Sequence, residues 1–531
     1  MKKTGAAVAD SSVGVLVNKR IYLLLVFHAQ ELSYYGTILP MKDCEDIYFC
    51  DMEKSFRWQS AMITAATLTI PGGFSSSAIA SDHSVVPIED VRGSQPNIIF
   101  ILADDMGYND LSFTGQTNFT TPSLDRMAEE GIFLSHHYAG STVSAPSRAT
   151  LLTGNHTGRV YQRGNAKIEF RPDPLDVTIA TRLQQAGYHT AMIGKSGVAA
   201  NSMNAGLPNE KGFDHFFGFL AHASAHRFYP QVLTRNGEDV KYPMNDGHTG
   251  EVYSGDLFLD EALRYIEEQS VRDNPFFLHL AIQQPHADLS VPEEFRAAFI
   301  SKFDERPRSS GGYLAESNPA ATYAGMITYV DHTVRRVLQK LCELAIDEHT
   351  LVIFSSDNGS YSEGGYHYSM HNSNAPFRGG KRDLYDGGIR VPTIARWPGV
   401  IAAGSISDHV SAFWDFPPTA LELAGLPIPP DMDGISYAPV LTGNHDLQEK
   451  HTYLYWEFHE RGGRQAVRYG RWKGVRLNVR QNRNGPIELY DIIEDPGETT
   501  DLAEKYPEIV ERIAGFMEDA HEEPESEHFW F

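Results

Sequence analysis

The chain of 531 residues carries a formal net charge of −24, from 69 acidic and 45 basic side chains. Its length suggests two or more structural units, and its 41% hydrophobic and 21% charged residues are ordinary for a globular protein. The acidity argues against nucleic acid and anionic membranes as partners. No apolar run approaches the ~18 residues of a membrane span, and three cysteines indicate no disulfide framework.

The first 96 residues differ in character from the rest of the chain. Within them, residues 52–80 have a basic start, a moderately apolar middle and small residues at Ala78 and Ala80, in the order of a secretory signal peptide. On this interpretation, residues 1–51 are an over-long start or a disordered leader, and the protein is periplasmic or secreted. The alternative is that residues 52–80 belong to a disordered leader as well.

Strand-like and helix-like patterns alternate from about Pro96 to about Thr442. Continuous apolar runs predict buried strands at residues 97–103, 189–194, 275–282 and 350–355. Helices are predicted between them, at residues 123–130, 178–186, 255–270 and 322–344. The alternation predicts an α/β catalytic domain over residues 94–443, with a mostly parallel sheet flanked by helices.

The pattern of predicted secondary structure changes after Gly443. Short strand-like segments separated by turns follow, at residues 452–458, 464–468, 472–477 and 487–491. A helix is predicted near residues 507–520. These patterns indicate a small carboxy-terminal subdomain over residues 450–531, built on an antiparallel sheet that packs on the main domain.

Each of the four predicted strands of the main domain is followed by side chains that bind ligands in many proteins. In chain order these are Asp104 with Asp105, Lys195, His286, and Asp357 with Asn358. Each alone has an ordinary explanation as a cap or a turn. Because ligands of open parallel sheets bind beyond the carboxyl ends of the strands, four equivalent positions together predict one site.

The acidic members of this set indicate a metal site. Asp104, Asp105, Asp357 and Asn358 supply only oxygen ligands, which favours Ca²⁺, or else Mg²⁺. Three clustered carboxylates without a cation would repel one another strongly.

A possible nucleophile lies in the run Ser-Ala-Pro-Ser-Arg at residues 144–148. Proline suits the first turn of a helix, because its missing N–H has no partner there. A helix that begins here places Ser144 at its positive end, with Arg148 one turn further on the same face. Such a helix end favours a bound anion.

This run resembles the signature of the formylglycine-dependent sulfatases, which is Cys or Ser, any residue, Pro, Ser, Arg. Four other segments resemble the same family, and the likeness extends from about Ser94 to the end of the chain. They are residues 103–108, 356–359, 377–392 and 488–498. The resemblance implies an alkaline-phosphatase-like fold and hydrolysis of sulfate monoesters by S–O cleavage. It also implies Ca²⁺ at the carboxylates and formylglycine made from Ser144, in serine-type bacterial members by a radical maturase.

The resemblance also assigns roles to single residues. Arg148 would hold the nucleophile region, and Lys195 would contact the sulfate and the aldehyde-derived group. Lys381, in a glycine-rich segment, would contact the sulfate and the leaving oxygen. His286 would act near the leaving group. Arg378, on the same segment as Lys381, is a predicted substrate contact.

One position departs from the family pattern. Many relatives have Gly-Lys-Trp-His where this chain has Gly-Lys-Ser-Gly, so a histidine that assists the second step is missing at Gly197. The candidates to replace it are His226, which is alternatively a substrate contact, and His136 or His137. His371 is a weaker candidate.

The expected substrate is a sulfated carbohydrate, with galactose or N-acetylgalactosamine sulfate as the specific guess. One alternative is a phosphodiesterase or phosphonate monoester hydrolase, because such enzymes share the signature and the metal site. Another is a non-catalytic relative that binds sulfated glycans. Retention of Arg148, Lys195, His286 and Lys381 argues against the second alternative.

Overall fold

The computed structural model describes residues 86–166, 169–199 and 206–531. The predicted leader segments, residues 1–51 and 52–80, lie outside these ranges. The strands are β1 (Asn97–Ala103), β2 (Ile132–Leu134), β3 (His137–Tyr138), β4 (His189–Ala199), β5 (His215–Ala221), β6 (Val232–Arg235), β7 (Glu238–Lys241), β8 (Phe276–Ala281), β9 (Thr350–Ser356), β10 (Ile394–Arg396), β11 (Ser405–Ser407), β12 (Ser411–Ala412), β13 (Leu454–Phe458), β14 (Arg464–Tyr469), β15 (Trp472–Leu477) and β16 (Ile487–Asp491).

The α-helices of the described ranges alternate with these strands along the main part of the chain. They are α1 (Ile88–Val91), α2 (Pro122–Glu129), α3 (Ser144–Thr153), α4 (Ile179–Gln185), α5 (Ser254–Ser270), α6 (Glu293–Arg296), α7 (Pro319–Glu343), α8 (Asp386–Ile389), α9 (Phe416–Ala424), α10 (Ala438–Leu441) and α11 (Pro507–Ala520). None of them combines the length and the apolar character that a bilayer crossing requires.

A large sheet of ten strands lies at the centre, in the order β11-β2-β10-β9-β1-β8-β4-β5-β6-β7. The neighbours from β9 to β5 all run parallel. Alternate residues of β1 enter two separate cores. Ile99 and Ile101 pack with residues of α5 and α7, whereas Ile98 and Phe100 pack with residues of α3, α4 and α9. Helices therefore cover both faces, which explains the continuous apolar sequence of the strand.

The carboxy-terminal strands β13 to β16 form a separate four-stranded antiparallel sheet. Helix α11 packs on this sheet through Ile513 and Met517. These observations confirm the predicted fold class, a mostly parallel sheet flanked by helices with a small antiparallel sheet at the carboxy terminus.

The sheet register brings the predicted strand ends to one edge. Ala103 of β1 lies opposite Ser356 of β9, and Leu102 lies opposite Ala281 of β8. Asp104 and Asp357 therefore leave the sheet at the same level. Three of the four predicted strands match within one residue at each end, but β4 runs on to Ala199 and its register shifts after Lys195. Lys195 thus lies within an irregular strand end, and not after it.

Candidate active site and metal centre

Asp104, Asp105, Asp357 and Asn358 come together at the edge of the sheet, and all four are fully buried. The Asp105 backbone N–H donates to Asp357 Oδ1 at 3.0 Å, and Asn358 Nδ2 donates to Asp105 Oδ1 at 2.7 Å. Asp105 adopts a left-handed φ of 67°, which is uncommon for a residue other than glycine. The structure therefore brings together all four predicted metal ligands.

The donor set of this group fits a hard divalent cation. Ligand atoms of Asp104, Asp105 and His286 all lie within 4.8 Å of one another. Asn358 Oδ1 is buried, and it has no hydrogen-bond partner in the described part of the chain. Burial, reinforced by the neighbouring Asp104 and Asp357 carboxylates, raises the pKa of Asp105 to about 7. An unpartnered oxygen beside crowded carboxylates is what an oxygen-coordinated cation would satisfy.

Ser144 begins helix α3 as the motif predicts. Its Oγ donates to Asp104 Oδ1 at 3.1 Å and accepts from Lys195 Nζ at 3.1 Å. Lys195 Nζ also donates to Asp104 Oδ2 at 2.6 Å. Burial holds the pKa of the Lys195 ammonium below its usual value, although the Asp104 carboxylate opposes this shift. The hydroxyl of Ser144 therefore lies between a carboxylate and an amine.

Arg148 is completely buried and holds the strand ends together. Its Nε and Nη2 donate to Asp357 Oδ2 at 3.0 and 2.8 Å, and its Nη1 donates to the Lys195 carbonyl at 2.9 Å. Its side chain also lies against Gly197, the position at which the family histidine is missing. Gly197 has a φ of 74°, and a Cβ atom there would lie 2.5 Å from Arg148 Cδ. A histidine at position 197 would therefore require Arg148 to move.

Lys381 lies at the other side of the carboxylates. Its Nζ donates to Asp105 Oδ2 at 2.8 Å, to Glu363 Oε2 at 2.9 Å and to His286 Nε2 at 3.1 Å. Burial opposes the charge of Lys381, but Asp105 and Glu363 outweigh it and raise its pKa. Burial and the nearby Lys381 cation hold the pKa of His286 well below its usual value. The lowered pKa favours the neutral form of His286. A proton on Nδ1 fits both contacts, because Nδ1 lies next to the Ala287 carbonyl and Nε2 can then accept a hydrogen bond from Lys381.

Sequence reasoning missed Glu363. This carboxylate bonds Lys381 and forms an ion pair with Arg382. Burial would raise the pKa of Glu363, but the two cations outweigh it and lower the value to about 2. The available signal was an acid before two glycines, six residues after Asp357. Nothing in that local pattern indicates that it faces Lys381.

His226 lies beside this group. Its ring stacks on that of His286 at 4.4 Å and 14°. Its Nε2 is buried and has no hydrogen-bond partner among the described residues. Burial, reinforced by Lys195 and Lys381, lowers the pKa of His226 to about 3.

The structure places Arg378 away from the other predicted site residues. Its Nη1 donates to Tyr490 Oη at 3.1 Å and to the Glu498 carbonyl at 2.9 Å. Its guanidinium lies 3.9 Å from the centre of the Tyr385 ring. Arg378 therefore bonds the carboxy-terminal sheet, and no contact in the described residues supports the substrate contact predicted for it.

The remaining histidines also have other partners. His137 Nδ1 lies 2.8 Å from Ser411 Oγ, and His136 Nδ1 lies 3.4 Å from Ser135 Oγ. His371 Nε2 lies 2.9 Å from the Ala320 carbonyl, within a group of aromatic rings. Of the histidines proposed to replace the one missing at position 197, His226 is the one that the structure places against His286.

A buried serine hydroxyl between carboxylates and cations is suited to hydrolysis of an anionic ester. A sequence profile of the Sulfatase family matches residues 96–426. A second profile, described as N-sulphoglucosamine sulphohydrolase, C-terminal, matches residues 379–523. The chain therefore belongs to the sulfatase family, and it is a sulfuric ester hydrolase.

Individual relatives agree with this family. The N-acetylgalactosamine-6-sulfatase of Rattus norvegicus is 31% identical over 70% of this chain and 71% of its own length. The N-acetylgalactosamine-6-O-sulfatase of Bacteroides thetaiotaomicron is 26% identical over 80% of this chain and 93% of its own length. The crystal structure of Ps i-CgsB in complex with k-i-k-neocarrahexaose matches with a TM-score of 0.68 at 27% identity, over 82% of this chain and 95% of that chain.

Proposed function

We propose that this protein releases sulfate from a sulfated carbohydrate by S–O cleavage, with residue 144 as the nucleophile after oxidation to formylglycine. The observation that carries the proposal is the position of Ser144 Oγ, 3.1 Å from both Asp104 Oδ1 and Lys195 Nζ at the start of α3. The similarity to N-acetylgalactosamine-6-sulfatases supports N-acetylgalactosamine sulfate, one of the two sugars in the predicted substrate class of galactose or N-acetylgalactosamine sulfates.

Asp104, Asp105, Asp357 and Asn358 would hold Ca²⁺, and the unpartnered Asn358 Oδ1 supports this assignment. When bound, Ca²⁺ supplies Lewis-acid stabilisation of negative oxygen. When oxidised by a radical maturase and hydrated, residue 144 supplies two hydroxyl groups on one carbon.

The cations of the chain carry out the electrostatic part of the reaction. A sulfate ester is anionic, and S–O cleavage moves further negative charge onto the ester oxygen. Lys195 lies beside the nucleophile and Lys381 lies beside His286, so they would bind opposite ends of the sulfate group. Preorganised donors of this kind are worth ~10²- to 10³-fold each in kcat.

Lys381 Nζ carries the proton in its hydrogen bond to His286 Nε2, so Lys381 would donate to the leaving oxygen and His286 would hold the ammonium in position. His226 is the proposed replacement for the missing histidine of the second step. Its support is its stacking on His286, its unpartnered Nε2, and the lack of room for a side chain at Gly197. A periplasmic or secreted location remains a prediction from the leader sequence.

The decisive experiment uses protein co-expressed with a radical maturase. The intact mass should fall by about 2 Da, as expected for oxidation of an alcohol to an aldehyde. Sulfate release from galactose 6-sulfate and N-acetylgalactosamine 6-sulfate oligosaccharides should then be measured for wild type and for Ser144→Ala, which should be inactive.

Ser144→Cys is the matched control, because the family signature accepts either residue. It should regain activity in a host that oxidises cysteine. Full sulfate release by Ser144→Ala would contradict the mechanism. Faster turnover of an aryl phosphonate or phosphodiester would favour the alternative hydrolase, and binding of sulfated glycans without release would favour the non-catalytic alternative.

A further inference from the structure

A cavity of about 230 Å³ lies beside the reacting cluster. Its lining includes His226, Arg227, Tyr313, Glu363 and Arg382. His226 stacks on His286, and Glu363 accepts from Lys381. A substrate whose sulfate lies against Lys381 and His286 would therefore extend its leaving group into this cavity.

The volume limits what the cavity can hold. Pockets for drug-sized ligands are usually ~300–1,000 Å³, so this smaller cavity suits one sugar unit. The backbone of Gly311 and Gly312 forms part of its lining, and a Cβ atom at either residue would meet no atom within 4 Å. The space next to these two glycines is therefore unoccupied by any described residue.

The acids of the cavity are already neutralised. Asp288 accepts from Arg227 Nη1 at 3.1 Å, from the His248 ring at 2.9 Å and from the Leu314 backbone N–H at 2.8 Å. Glu363 is neutralised by Lys381 and Arg382. Neither carboxylate therefore presents an uncompensated charge to a ligand.

The hydrogen-bond donors of Arg227, in contrast, are only partly paired within the described residues. Arg227 contacts Asp288 and His248 through Nη1, whereas its Nε and Nη2 donate to no acceptor in the described residues. Nε and Nη2 form one edge of the guanidinium, and Arg148 uses the same two atoms to bind Asp357. This edge binds carboxylates and sulfates well.

We infer that Arg227 binds a second anionic group of the substrate, a carboxylate or a second sulfate, on or next to the sugar that bears the scissile sulfate. The inference rests on the proposed function and narrows its substrate class to polyanionic glycans. It also explains how a chain of net charge −24 can accept such a substrate. The field of the whole protein repels polyanions, so recognition requires a donor placed locally.

The test compares substrates that share one scissile 6-sulfate. They are a neutral disaccharide with that sulfate alone, a disaccharide that adds a uronate, and a disaccharide that adds a second sulfate. Arg227→Gln should lower kcat/KM for at least one of the two anionic disaccharides about 10-fold, through KM. The value for the neutral disaccharide should change less than about 2-fold. The affected substrate identifies the anionic group as carboxylate or sulfate.

Arg235→Gln is the matched control. Arg235 is 43% exposed and pairs with the buried Glu261, much as Arg227 is 45% exposed and pairs with the buried Asp288, but it does not line the cavity. This variant should leave the preference among the three substrates unchanged. Arg227→Lys keeps the positive charge but lacks the paired N–H donors of the guanidinium, so it should recover part of the lost affinity.

A binding measurement distinguishes failure of this inference from failure of the proposed function. Calorimetric titration of the three disaccharides into Ser144→Ala, with and without Arg227→Gln, requires no turnover. If Arg227→Gln weakens the binding of an anionic disaccharide but not that of the neutral one, the inference is supported even if no sulfate is ever released. Equal losses for all three disaccharides, or no loss for any, would overturn it.

Discussion

Two regions of the site are built in different ways. The strand-end cluster, which comprises Asp104, Asp105, Ser144, Lys195 and Asp357, lies on the sheet edge and at the start of α3, and it is completely buried. The cavity rim, which comprises His226, Arg227, Tyr313, Glu363 and Arg382, lies on connecting segments and is partly exposed.

This difference separates reaction chemistry from recognition. Strands joined by regular main-chain ladders hold reacting groups more rigidly than loops do. Loops tolerate changes of sequence, and they commonly carry specificity. We therefore expect changes in the strand-end cluster to lower kcat for every substrate, and changes in the cavity rim to alter the choice among substrates.

Lys381 connects the two regions, because it contacts Asp105 in one and Glu363 in the other. The carboxy-terminal sheet holds the segment that carries it. Lys473 Nζ donates to Asp386 Oδ1 at 2.6 Å, and Arg464 Nη1 donates to the Arg382 carbonyl at 2.9 Å. The small sheet thus supports the active site from a distance.

Removal of the proposed Ca²⁺ should have the largest effect on turnover. Chelation should abolish sulfate release for all substrates and lower the midpoint of thermal unfolding, because bound metal stabilises the folded state. Added Ca²⁺ should restore both.

The affinity for Ca²⁺ should also depend on pH. Asp105 must be deprotonated to bind metal, and its pKa is raised to about 7 by burial. Titration calorimetry should therefore show full Ca²⁺ affinity above pH 7 and weaker binding as the pH falls below it. Full activity in protein shown to be metal-free would contradict this prediction.

Lys195→Met should lower kcat ~10²- to 10³-fold with a smaller change in KM, because it removes a donor beside the nucleophile. Steady-state kinetics on neutral and anionic substrates should show equal losses. Lys211→Met is the control, since Lys211 is also a buried lysine but pairs with Asp173 outside the site. It should lose stability and keep kcat. A substrate-dependent loss in Lys195→Met would remove the distinction between the two regions.

His226→Ala should lower kcat ~10²-fold if His226 acts as the base of the second step. In pre-steady-state experiments with excess substrate, the first release of the sugar should stay fast as a burst, while later turnovers slow. His371→Ala is the control, because His371 is a buried histidine within an aromatic group away from the site. A rise in KM with unchanged kcat would instead assign His226 to substrate contact.

Lys473→Met should have the smallest effect on turnover and a large effect on stability. Lys473 is buried between Asp386 and Glu498, and removing one partner of a buried ion pair costs ~3–5 kcal/mol. Chemical denaturation should show that loss in the free energy of unfolding, while kcat per folded molecule stays within a few-fold. Lys241→Met, at an exposed position, should change stability by less than ~0.5 kcal/mol. Equal stability of the two variants would mean that the carboxy-terminal sheet does not hold this segment.

Local sequence patterns were sufficient to predict the main strands and helices, and to predict that most residues of the strand-end cluster lie together. The apolar run before Asp104 predicted the bounds of β1 correctly, because burial on both faces leaves a continuous apolar signal. Residues that directly follow parallel strands share one edge, so the sequence was sufficient to place Asp104 and Asp357 together. His286 lies five residues after the end of β8.

Positions decided by contacts between distant segments could not be predicted in this way. Glu363 contacts Lys381, which lies 18 positions later in the chain, and no sequence periodicity predicts such a contact. Arg378 and Lys381 lie three residues apart on one glycine-rich segment. The first bonds the carboxy-terminal sheet and the second bonds Asp105.

The sequence by itself determined the α/β class, and it was sufficient to propose Ser144 as the nucleophile and four residues as oxygen ligands, because each depends on neighbouring residues or on strand ends. Only the tertiary structure decided that Arg148 fills the space beside Gly197, and that His226 stacks on His286. It alone decided that Arg227 lines a cavity, and that its Nε and Nη2 have no acceptor among the described residues. The physical reason is that side-chain packing across segments far apart in the chain depends on the whole fold.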